Sequence, residues 1–289
     1  MRPSTFSIVA CDLESQEWGV AVQSKFLAVG AIVPWAQAGA GAVATQSYAN
    51  VSFGPRGLEL MAGGLSAAKA LEQLLAADEG RARRQVGLVD ARGNPATFTG
   101  DECHDWAGGL TGRGYAAQGN ILVSAATVEA MARTFEQTQG ELADRLVAAL
   151  AAGQAAGGDR RGKQSAAVMV VRPGGGYGGD NDRYLDLRVD DDPKPIERLK
   201  ALVDLHHLFF KPPEPGEMVP VEGERAREVQ QILRWAGYYD GPLTGDYDAA
   251  TQKALRDLIG NENFEERFDE EQGLISQQVL EILRQKFER

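Results

Sequence analysis

Two hydrophobic patterns alternate along residues 1–210 of the chain. Short runs rich in small and β-branched residues, bounded by turn residues, predict strands at 5–10, 19–26, 28–33, 41–45, 85–90, 96–99, 115–122, 164–172 and 183–189. Apolar residues at helical spacing predict helices at 56–77, 126–137, 141–151 and 195–209. Because these helices stand between groups of antiparallel strands, we expect an α+β fold, a four-layer αββα sandwich in which two stacked sheets carry helices on their outer faces.

A proline-rich segment separates these elements from the rest of the chain. Residues 211–217 contain three prolines and one glycine, which disfavour both helix and strand. Beyond them, apolar spacing predicts helices at 224–235, 249–259 and 276–287, with an aromatic-edged turn at 237–247. We therefore predict an αββα domain over 1–210, a linker over 211–221 and a small all-α domain of three helices over 222–289.

Composition and charge narrow the class of protein. The chain has 289 residues, of which 43% are hydrophobic and 25% are charged, as is ordinary for a soluble globular protein. Its formal charge of −11 argues against nucleic acid or an anionic membrane as the main partner, because both favour basic patches. The sequence contains no apolar run of the roughly 18 residues that a membrane span needs, and no signal-peptide pattern precedes the first strand. A cytoplasmic location is therefore expected.

Cysteine and histidine residues are too few to indicate a metal or a cofactor. Cys11 and Cys103 form neither a disulfide framework nor a metal-binding set. The three histidines are scattered along the chain, and the acidic residues between 180 and 192 do not follow the EF-hand spacing. The sequence therefore predicts no metal site and no cofactor.

The most informative element is the first predicted hairpin, which begins with a hydroxyl side chain. The tip of this hairpin is the polar segment 12–17, which ends with Glu17. If Asp12 pairs with Trp18 across this tip, then Thr5 pairs with Lys25, because antiparallel partners share a constant index sum. A hydroxyl near an amino terminus that faces a lysine across a sheet is the arrangement of an N-terminal-nucleophile hydrolase. The alternative is structural: Thr5 is a β-branched residue that starts a strand, and Lys25 is its solvated neighbour.

Several longer motifs are specific enough to indicate a family. They are TFSIVA at 5–10, GVAVQSKFLAVG at 19–30, GAVATQ at 41–46, YAN at 48–50, QGNIL at 118–122, GGDRRGKQS at 157–165, and the segments 172–182 and 185–190. Over about residues 5–210 the chain resembles the bacterial DUF1028 family of unknown function, which is grouped with N-terminal-nucleophile hydrolases. The tail from about residue 222, with GYY at 237–239 and LTGDY at 243–247, is similar to a small peptidoglycan-binding module that accompanies this family. The resemblance implies the N-terminal-nucleophile type of sandwich but no assigned reaction.

The resemblance also implies a nucleophile and its supporting groups. In N-terminal-nucleophile hydrolases, an N-terminal Thr, Ser or Cys attacks a carbonyl, and its free α-amine, with a pKa of about 8, takes the proton. Here Thr5 is the expected nucleophile, Lys25 is a charge that lowers the pKa of its amine or hydroxyl, and Asp159 and Ser165 lie beside them. Because an internal amide nitrogen cannot act as base, this mechanism requires cleavage between Ser4 and Thr5. The alternatives are that Lys25 is the base of an uncleaved Thr5 or anchors a ligand carboxylate, and that Asp159 and Ser165 belong to a surface turn.

Four further polar residues are expected to bind the substrate. Backbone N–H groups near Thr45 and Gln46, at the end of a strand, are expected to form an oxyanion hole. Asn120 is expected to orient a ligand amide, and its alternative role is to cap a turn. Asn50, in the motif YAN, completes the expected set.

Together these residues predict an amidohydrolase that cleaves a small amide or peptide bond. The rival hypothesis is a non-catalytic ligand-binding or scaffold protein that keeps the sandwich without processing its amino terminus. For the tail, binding of a cell-wall glycan follows from the resemblance alone, and a helical interaction or dimerisation module is the alternative. The large apolar faces of the sandwich also lead us to expect a homodimer.

Overall fold

The structure of the protein is a computed structural model that describes residues 5–288. The chain divides into two units, Met1–Val203 and Asp204–Arg289. The strands of the first unit are β1 (Thr5–Asp12), β2 (Glu17–Ser24), β3 (Pro34–Gln37), β4 (Gly41–Ser47), β5 (Arg84–Asp90), β6 (Pro95–Thr99), β7 (Gly108–Gly112), β8 (Tyr115–Asn120), β9 (Ser165–Val171) and β10 (Arg183–Val189). The accompanying helices are α1 (Phe53–Ala62), α2 (Ala67–Ala76), α3 (Ala126–Gln137) and α4 (Leu142–Ala155). Helix α5 (Pro195–Phe210) begins in the first unit and ends in the second.

The strands of the first unit form two antiparallel sheets. One sheet has six strands in the order β10-β9-β2-β1-β8-β7, and the other has four strands in the order β3-β4-β5-β6. Helices α1 and α2 follow β4, and helices α3 and α4 follow β8, so each helix pair connects strands. The fold is therefore mixed α/β with antiparallel sheets, as the hydrophobic pattern predicts.

Apolar side chains bury both faces of the two sheets. One face of the six-stranded sheet packs against α3 and α4, through residues that include Phe6, Ile8, Met131, Leu146 and Leu150. Its other face packs against the four-stranded sheet, through residues that include Val9, Val20, Val22, Ala42, Ala44 and Val89. The four-stranded sheet packs in turn against α1 and α2, through residues that include Val43, Leu58, Leu74 and Leu88. Successive side chains of a strand point to opposite faces, and both faces of this sheet are covered. Strand β1 is therefore apolar at most of its positions.

The register of the β1–β2 hairpin differs by one residue from the prediction. Thr5 pairs with Ser24, so Lys25 is not its cross-strand partner. The prediction placed Glu17 in the polar tip, but Glu17 is the first residue of β2, is only 2% exposed and forms an ion pair with Arg172 at 3.1 Å. The connecting loop is therefore residues 13–16, and every pair of the ladder moves by one position.

Two predicted elements are interrupted where the backbone takes a left-handed conformation. Segment 28–33, predicted as a strand, contains a short 3-10 helix at Val29–Ala31, which begins after Ala28 with a φ of 52°. The helix predicted over 56–77 is two helices, α1 and α2, separated by a turn in which Gly64 has a φ of 93°. Apolar spacing does not reveal either change of backbone direction.

A buried carboxylate organises the turn between β5 and β6. Asp90 is 2% exposed and accepts hydrogen bonds from the backbone N–H groups of Ala67, Arg92 and Asn94 and from the side chain of Asn94. Burial acts to raise the pKa of this carboxyl, but the hydrogen bonds outweigh burial and hold its pKa below the ordinary value of 3.8. The ionised side chain is therefore the form that stabilises the fold.

We expect Asp90→Asn to lower the free energy of unfolding by about 2 kcal/mol at neutral pH, because an amide cannot accept this set of hydrogen bonds with both of its terminal atoms. The stabilisation from a carboxyl with a lowered pKa is present above its unfolded-state pKa and is lost as the pH falls through its folded-state pKa. The difference in the free energy of unfolding between the unmodified protein and Asp90→Asn should therefore shrink as the pH falls below 3.8. Urea unfolding at several pH values measures this, with the exposed Asp101→Asn as control. A difference that does not shrink in acid would contradict the role of Asp90.

The second unit combines helices with a small sheet. Its helices are α6 (Gly223–Ala236), α7 (Ala249–Glu262) and α8 (Gln277–Phe287). Its strands are β11 (Met218–Pro220), β12 (Phe268–Asp269) and β13 (Leu274–Ser276), in the order β11-β13-β12. The prediction of an all-α domain is therefore wrong, because strands of two or three residues are too short to show a periodic pattern. Within the described residues, the helices lack the combination of length and apolarity that crossing a membrane requires.

Part of the segment predicted as a linker belongs to this small sheet. Strand β11 lies within 211–221, where Pro220 is its last residue and does not prevent pairing with β13. Directly before the strand, Glu217 accepts hydrogen bonds from the guanidinium of Arg267 at 2.7 and 2.9 Å and from the hydroxyl of Ser276 at 2.7 Å. Residues 217–220 are thus held by the second unit, and the proline-rich composition applies only to the residues before them.

A buried glutamine fixes the turn at 237–247. The side chain of Gln230 is 0% exposed and donates to Oγ1 of Thr244, Oγ1 of Thr251 and the carbonyl of Asp246. It also accepts a hydrogen bond from the N–H of Gly245, which has a φ of 85° that favours glycine. Thr244 and Gly245 of the motif LTGDY are therefore explained by one buried side chain on α6.

Candidate functional site

A cavity of about 410 Å³ lies in the first unit at the start of β1. One wall is formed by the chain segment that follows β2 and consists of Phe26, Val29, Ile32 and Val33. The opposite wall comprises the end of β4, the loop after it and one residue of β5, namely Ser47, Tyr48, Ala49, Val51 and Arg84. Thr5 and Gln46 complete the lining, so the cavity contains the predicted nucleophile.

Thr5 is held in a fixed position at the edge of this cavity. It is the first residue of β1 and is 2% exposed. Its Oγ1 lies 3.2 Å from Oγ of Ser24, and either hydroxyl can donate to the other at this distance. Its carbonyl oxygen accepts hydrogen bonds from Nε2 of Gln46 at 3.4 Å and from Nδ2 of Asn120 at 3.5 Å. Two residues predicted to bind substrate are thus hydrogen-bonded to the backbone of the predicted nucleophile.

Polar side chains form a row across four neighbouring strands at one end of the six-stranded sheet. The row consists of consecutive cross-strand neighbours, in the order Asn120 on β8, Thr5 on β1, Ser24 on β2 and Ser165 on β9. All four are buried. Because directly paired residues share one face of a sheet, these side chains lie on the same face. The structure therefore brings Ser165 to the same row as Thr5, one strand beyond Ser24.

Side-chain amides form a buried hydrogen-bond network behind Thr5. Gln46 is 1% exposed, accepts a hydrogen bond from Oγ of Ser7 at 2.7 Å and donates to Oε1 of Gln85 at 2.8 Å. Gln118 also donates to Oγ of Ser7, at 2.7 Å, and Asn120 also donates to Oε1 of Gln85, at 2.9 Å. These residues come from both sheets, so the network connects the sheets. Buried polar groups that are satisfied in this way favour a single arrangement of their side chains.

Sequence reasoning missed four of these groups, namely Ser7, Ser24, Gln85 and Gln118. Ser24 was missed because the predicted register of the first hairpin is wrong by one residue. The other three, Ser7, Gln85 and Gln118, lie within predicted strands that are otherwise largely apolar, and an uncharged polar residue in such a strand is a signal for buried hydrogen bonding. That signal identifies the residues but not their partners on the other sheet.

Lys25 and Asp159 hold the beginning of the cavity wall that follows β2. Lys25 lies directly after β2 with an exposed side chain, and its backbone N–H donates to Oδ2 of Asp159 at 2.9 Å. Asp159 is 3% exposed and also accepts hydrogen bonds from the backbone N–H of Arg161 at 2.9 Å and from its guanidinium at 3.1 Å. The expected role of Lys25 as the partner of Thr5 is thus replaced by a backbone contact with Asp159.

Ser165 holds the middle of the same wall. Its hydroxyl is 0% exposed, donates to the carbonyl of Phe26 and accepts a hydrogen bond from the N–H of Val29 at 3.1 Å. Phe26 and Val29 both line the cavity. Ser165 therefore determines the position of this wall relative to the sheet that carries Thr5.

We expect Ser165→Ala to loosen residues 25–31 while the rest of the first unit stays folded. The change leaves a buried N–H and a buried carbonyl without their hydroxyl partner, which costs about 1–3 kcal/mol. Hydrogen exchange followed by mass spectrometry should show faster exchange in 25–31 than in the unmodified protein. Thr111→Ala, which removes an exposed hydroxyl from β7, is the control and should leave exchange in 25–31 unchanged. Equal exchange in 25–31 for all three proteins would contradict this role of Ser165.

The opposite wall is held by a second set of hydrogen bonds. Oγ1 of Thr45 donates to the carbonyl of Asn50 at 3.1 Å, and Nδ2 of Asn50 donates to Oδ2 of Asp78 at 3.4 Å. Asp78 also accepts a hydrogen bond from Nε of Arg84 at 2.8 Å. The backbone N–H of Thr45 donates to the carbonyl of Val33 at 3.2 Å. The expected oxyanion hole therefore does not include this N–H group, because the fold already uses it.

Backbone strain is concentrated around the cavity. Within residues 5–288, non-glycine residues with a positive φ occur at five positions, and three of them border the site: Ala28 at 52°, Ser47 at 68° and Ile121 at 51°. Ala28 lies in the wall that follows β2, Ser47 ends β4, and Ile121 directly follows β8. Conformations of this kind cluster at functional sites, where the surrounding structure imposes them. Their positions support a function for this end of the first unit.

Neither cysteine is activated as a nucleophile. Burial, assisted by the charges of Asp12 and Asp90, raises the pKa of the Cys11 thiol to about 11. Burial also raises the pKa of the Cys103 thiol, whose Sγ lies 3.5 Å from Oγ of Ser47. Because the reactive form of cysteine is the thiolate, both side chains are unreactive at neutral pH.

Comparison with known proteins finds matches to both units. The family model described as "Family of unknown function (DUF1028)" matches residues 5–199, and the model described as "Putative peptidoglycan binding domain" matches residues 208–283. The crystal structure of protein SPO2555 from Silicibacter pomeroyi, also matched to DUF1028, shows 32% identity and a TM-score of 0.65, and the similarity covers 72% of this chain and 91% of the Silicibacter protein. Among curated proteins, none matches. Both resemblances seen in the sequence are confirmed.

Proposed function

The chain belongs to the DUF1028 family, whose function is unknown, and from the geometry of its site we propose that it hydrolyses a small amide or peptide bond through Thr5. The observation that supports this most directly is that the buried residue Thr5 lines a cavity and that its Oγ1 lies 3.2 Å from Oγ of Ser24. The proposed architecture is the αββα sandwich of the N-terminal-nucleophile type. Its support is the apolar packing of the two sheets against each other and against the helix pairs.

The proposed reaction begins with hydrolysis of the bond between Ser4 and Thr5, which gives Thr5 a free α-amine. That amine takes the proton from Oγ1 while Oγ1 attacks the carbonyl carbon of the substrate amide. The carbon–nitrogen bond then breaks, the proton passes to the departing amine, and an acyl ester remains on Oγ1. Water adds to the ester with the α-amine as base, and the carboxylic acid leaves as Oγ1 recovers its proton.

The neighbours of Thr5 take positioning roles in this proposal. The hydroxyl of Ser24 donates a hydrogen bond to Oγ1 as Oγ1 gives up its proton, and Gln46 and Asn120 hold the Thr5 carbonyl and thereby fix the backbone of Thr5 beside the cavity. Asp159 and Ser165 act one step further away, because they hold the wall that the substrate contacts. Lys25 contributes its backbone N–H to that wall.

The intact mass of the purified full-length protein tests the proposal. We expect the mass of a chain that begins at Thr5 and that gains one acyl group when it is treated with an activated ester. A protein that keeps residues 1–4 and does not react with the ester would contradict it. Residues 1–4 lie outside the described part of the structure, so the mass is independent information.

A non-catalytic ligand-binding protein is the second candidate. It is favoured by one observation: residues 1–4 precede Thr5 in the sequence, so Thr5 has no free α-amine unless they are removed. In that case the cavity binds a small amide without cleaving it. Retention of residues 1–4 together with saturable amide binding would favour this candidate over the hydrolase.

For the second unit we propose binding to a cell-wall glycan, because residues 208–283 match a peptidoglycan-binding family model. Two of the tyrosines near its central turn make contacts within the unit itself. The hydroxyl of Tyr239, a residue only 9% exposed, donates to the carbonyl of Pro242 at 2.9 Å, and the hydroxyl of Tyr247 donates to the carbonyl of Glu270 at 3.3 Å. The two rings therefore belong to the internal packing of this unit.

Sedimentation of the full-length protein with insoluble peptidoglycan tests this part of the proposal. We expect retention on peptidoglycan but not on cellulose, and loss of retention in Gln230→Leu, which removes the side chain that fixes the turn at 237–247. No retention by the unmodified protein would favour an interaction or dimerisation module instead. Analytical ultracentrifugation of the same sample tests the predicted homodimer.

A further inference from the structure

We infer that the cavity beside Thr5 takes an uncharged, apolar acyl group, so that the substrate is an amide of an aliphatic or aromatic acid. The assignment of this group to the acyl side rests on the proposed function. The apolar selectivity itself follows from the composition of the lining and from the way its charged residue is neutralised.

Hydrocarbon makes up most of the cavity surface. Phe26, Val29, Ile32 and Val33 form one wall, and Val51 lies on the other. Val29 and Val33 are 2% and 3% exposed, so the wall is anchored in the core. An apolar group that enters loses unfavourable contact with water, and each buried methylene is worth about 0.8 kcal/mol. A charged group loses its hydration there without gaining a partner of opposite charge.

Arg84 is the charged residue among the cavity-lining groups, and its charge is already matched. Its Nε lies 2.8 Å from Oδ2 of Asp78 and its Nη2 lies 3.3 Å from Oδ1, while Nη1 donates to the carbonyl of Tyr48. The hydrogen bond from Arg84 is the main cause that holds the pKa of Asp78 below its ordinary value, so Asp78 stays ionised at neutral pH. A ligand carboxylate would have to compete with Asp78 for the guanidinium.

The other charges predicted for the site do not reach the cavity lining. Lys25 and Asp159 are absent from the residues that line it. Asp159 is engaged by Arg161 and by the N–H of Lys25. The expectation that Lys25 anchors a ligand carboxylate therefore has no support in the geometry of the cavity.

The acyl part of the substrate is the part that needs this cavity. In the proposed reaction the amine leaves when the acyl ester forms, whereas the acyl group stays on Oγ1 of Thr5 until water removes it. A wall that holds the acyl group therefore acts in both steps. At about 410 Å³ the cavity is near the lower end of the ~300–1,000 Å³ range of small-molecule pockets, which suits a short chain or a single ring.

A series of neutral and charged amides tests the selectivity on the full-length protein. Binding of propanamide, butanamide, hexanamide and succinamate is measured by ligand-observed NMR. We expect affinity to rise about fourfold for each added methylene, and butanamide, which matches succinamate in chain length, to bind at least about tenfold more tightly than succinamate. Succinamate binding as tightly as butanamide, or affinity independent of chain length, would overturn the inference.

A matched pair of lysine substitutions locates the effect in the cavity. Val51, which lines the cavity, and Val123, which does not, are 42% and 57% exposed, so both positions accommodate lysine on a folded protein. Val51→Lys should lower the preference for hexanamide over succinamate about fivefold, because it adds an unmatched positive charge. Val123→Lys should leave the preference unchanged. Equal effects of the two substitutions would overturn the assignment to this cavity.

Acylation by two activated esters separates this inference from the proposed function. The 4-nitrophenyl esters of hexanoic and succinic acid share one leaving group and differ only in the acyl part. Hexanamide binding with the expected dependence on chain length, but no acylation by either ester, supports the selectivity of the cavity and contradicts the hydrolase. Acylation of Thr5 at equal rates by both esters overturns the selectivity and supports the hydrolase.

Discussion

Thr5→Ala is expected to lower the rate of 4-nitrophenyl hexanoate hydrolysis by about 10³-fold or more, because it removes the atom that carries the acyl group. Thr5 lines the cavity, and its Oγ1 lies 3.2 Å from Oγ of Ser24. Thr5→Ser keeps a hydroxyl at the same position and should stay within about tenfold of the unmodified protein. Release of 4-nitrophenol, followed by absorbance, measures all three rates.

Stability measurements separate loss of the nucleophile from loss of the fold. Thr5→Ala removes one hydroxyl–hydroxyl hydrogen bond, and we expect a cost of about 1 kcal/mol in the free energy of unfolding. The hydrogen bonds to the Thr5 carbonyl do not involve its side chain and should persist. A folded Thr5→Ala protein that hydrolyses the ester at the unmodified rate would contradict the role of Thr5.

Gln46→Leu is expected to lower the free energy of unfolding by about 3–5 kcal/mol. The side chain is 1% exposed, and its loss removes the acceptor of the Ser7 hydroxyl and the donor to Oε1 of Gln85. The Ser7 hydroxyl loses its acceptor, and Oε1 of Gln85 keeps only the Asn120 donor. Each hydrogen bond lost in such a buried network costs about 1–3 kcal/mol, and leucine supplies no replacement. Urea unfolding measures the change, and hydrogen exchange in β1 and β4 shows where it occurs.

Gln73→Leu is the matched control for this substitution. Gln73 lies on α2 and is exposed, so the same chemical change removes no buried hydrogen bond there. Its effect should stay within about 0.5 kcal/mol. If Gln46→Leu destabilises the protein no more than Gln73→Leu does, the network is not a stabilising element.

The first hairpin shows both what a sequence predicts and where it stops. Two largely apolar strands joined by a short polar tip predict that β1 and β2 pair, and they do. The register depends on the length of the loop, and the prediction counted Glu17 as a loop residue because it is charged. In the structure Glu17 is buried, and its charge is compensated by Arg172, whose Nη1 lies 3.1 Å from Oε1 of Glu17. The two residues are more than 150 positions apart in the sequence. A local pattern contains no information about such a distant partner, so the error moved Lys25 into the position of Ser24.

The site residues show a similar limit. The motifs of the chain direct attention to Thr5, Gln46, Asn120, Asp159 and Ser165, and the structure places all of them at Thr5 or at the cavity wall beside it. Their contacts were not predictable, because each depends on strands that are distant in sequence. Ser165, for example, acts on the segment that follows β2 through hydrogen bonds that span more than 130 positions.

The tail shows how composition can mislead. Three prolines and a glycine indicated a linker, and apolar spacing indicated helices alone. Strand β11 nevertheless pairs with β13 directly after the prolines, because Pro220 is at the end of the strand and the small sheet needs only a few backbone hydrogen bonds. Helices α6, α7 and α8 were predictable because each spans several turns with a regular apolar face.

The sharpest check on Thr5 as the nucleophile is the mass of the amino-terminal peptide after the full-length protein has reacted with 4-nitrophenyl hexanoate. If Thr5 carries the acyl group, this peptide begins at Thr5 and is heavier by one hexanoyl group. The corresponding peptide of Thr5→Ala should carry no hexanoyl group. An amino-terminal peptide that begins at residue 1 and carries no hexanoyl group would show that this protein is not an N-terminal-nucleophile hydrolase.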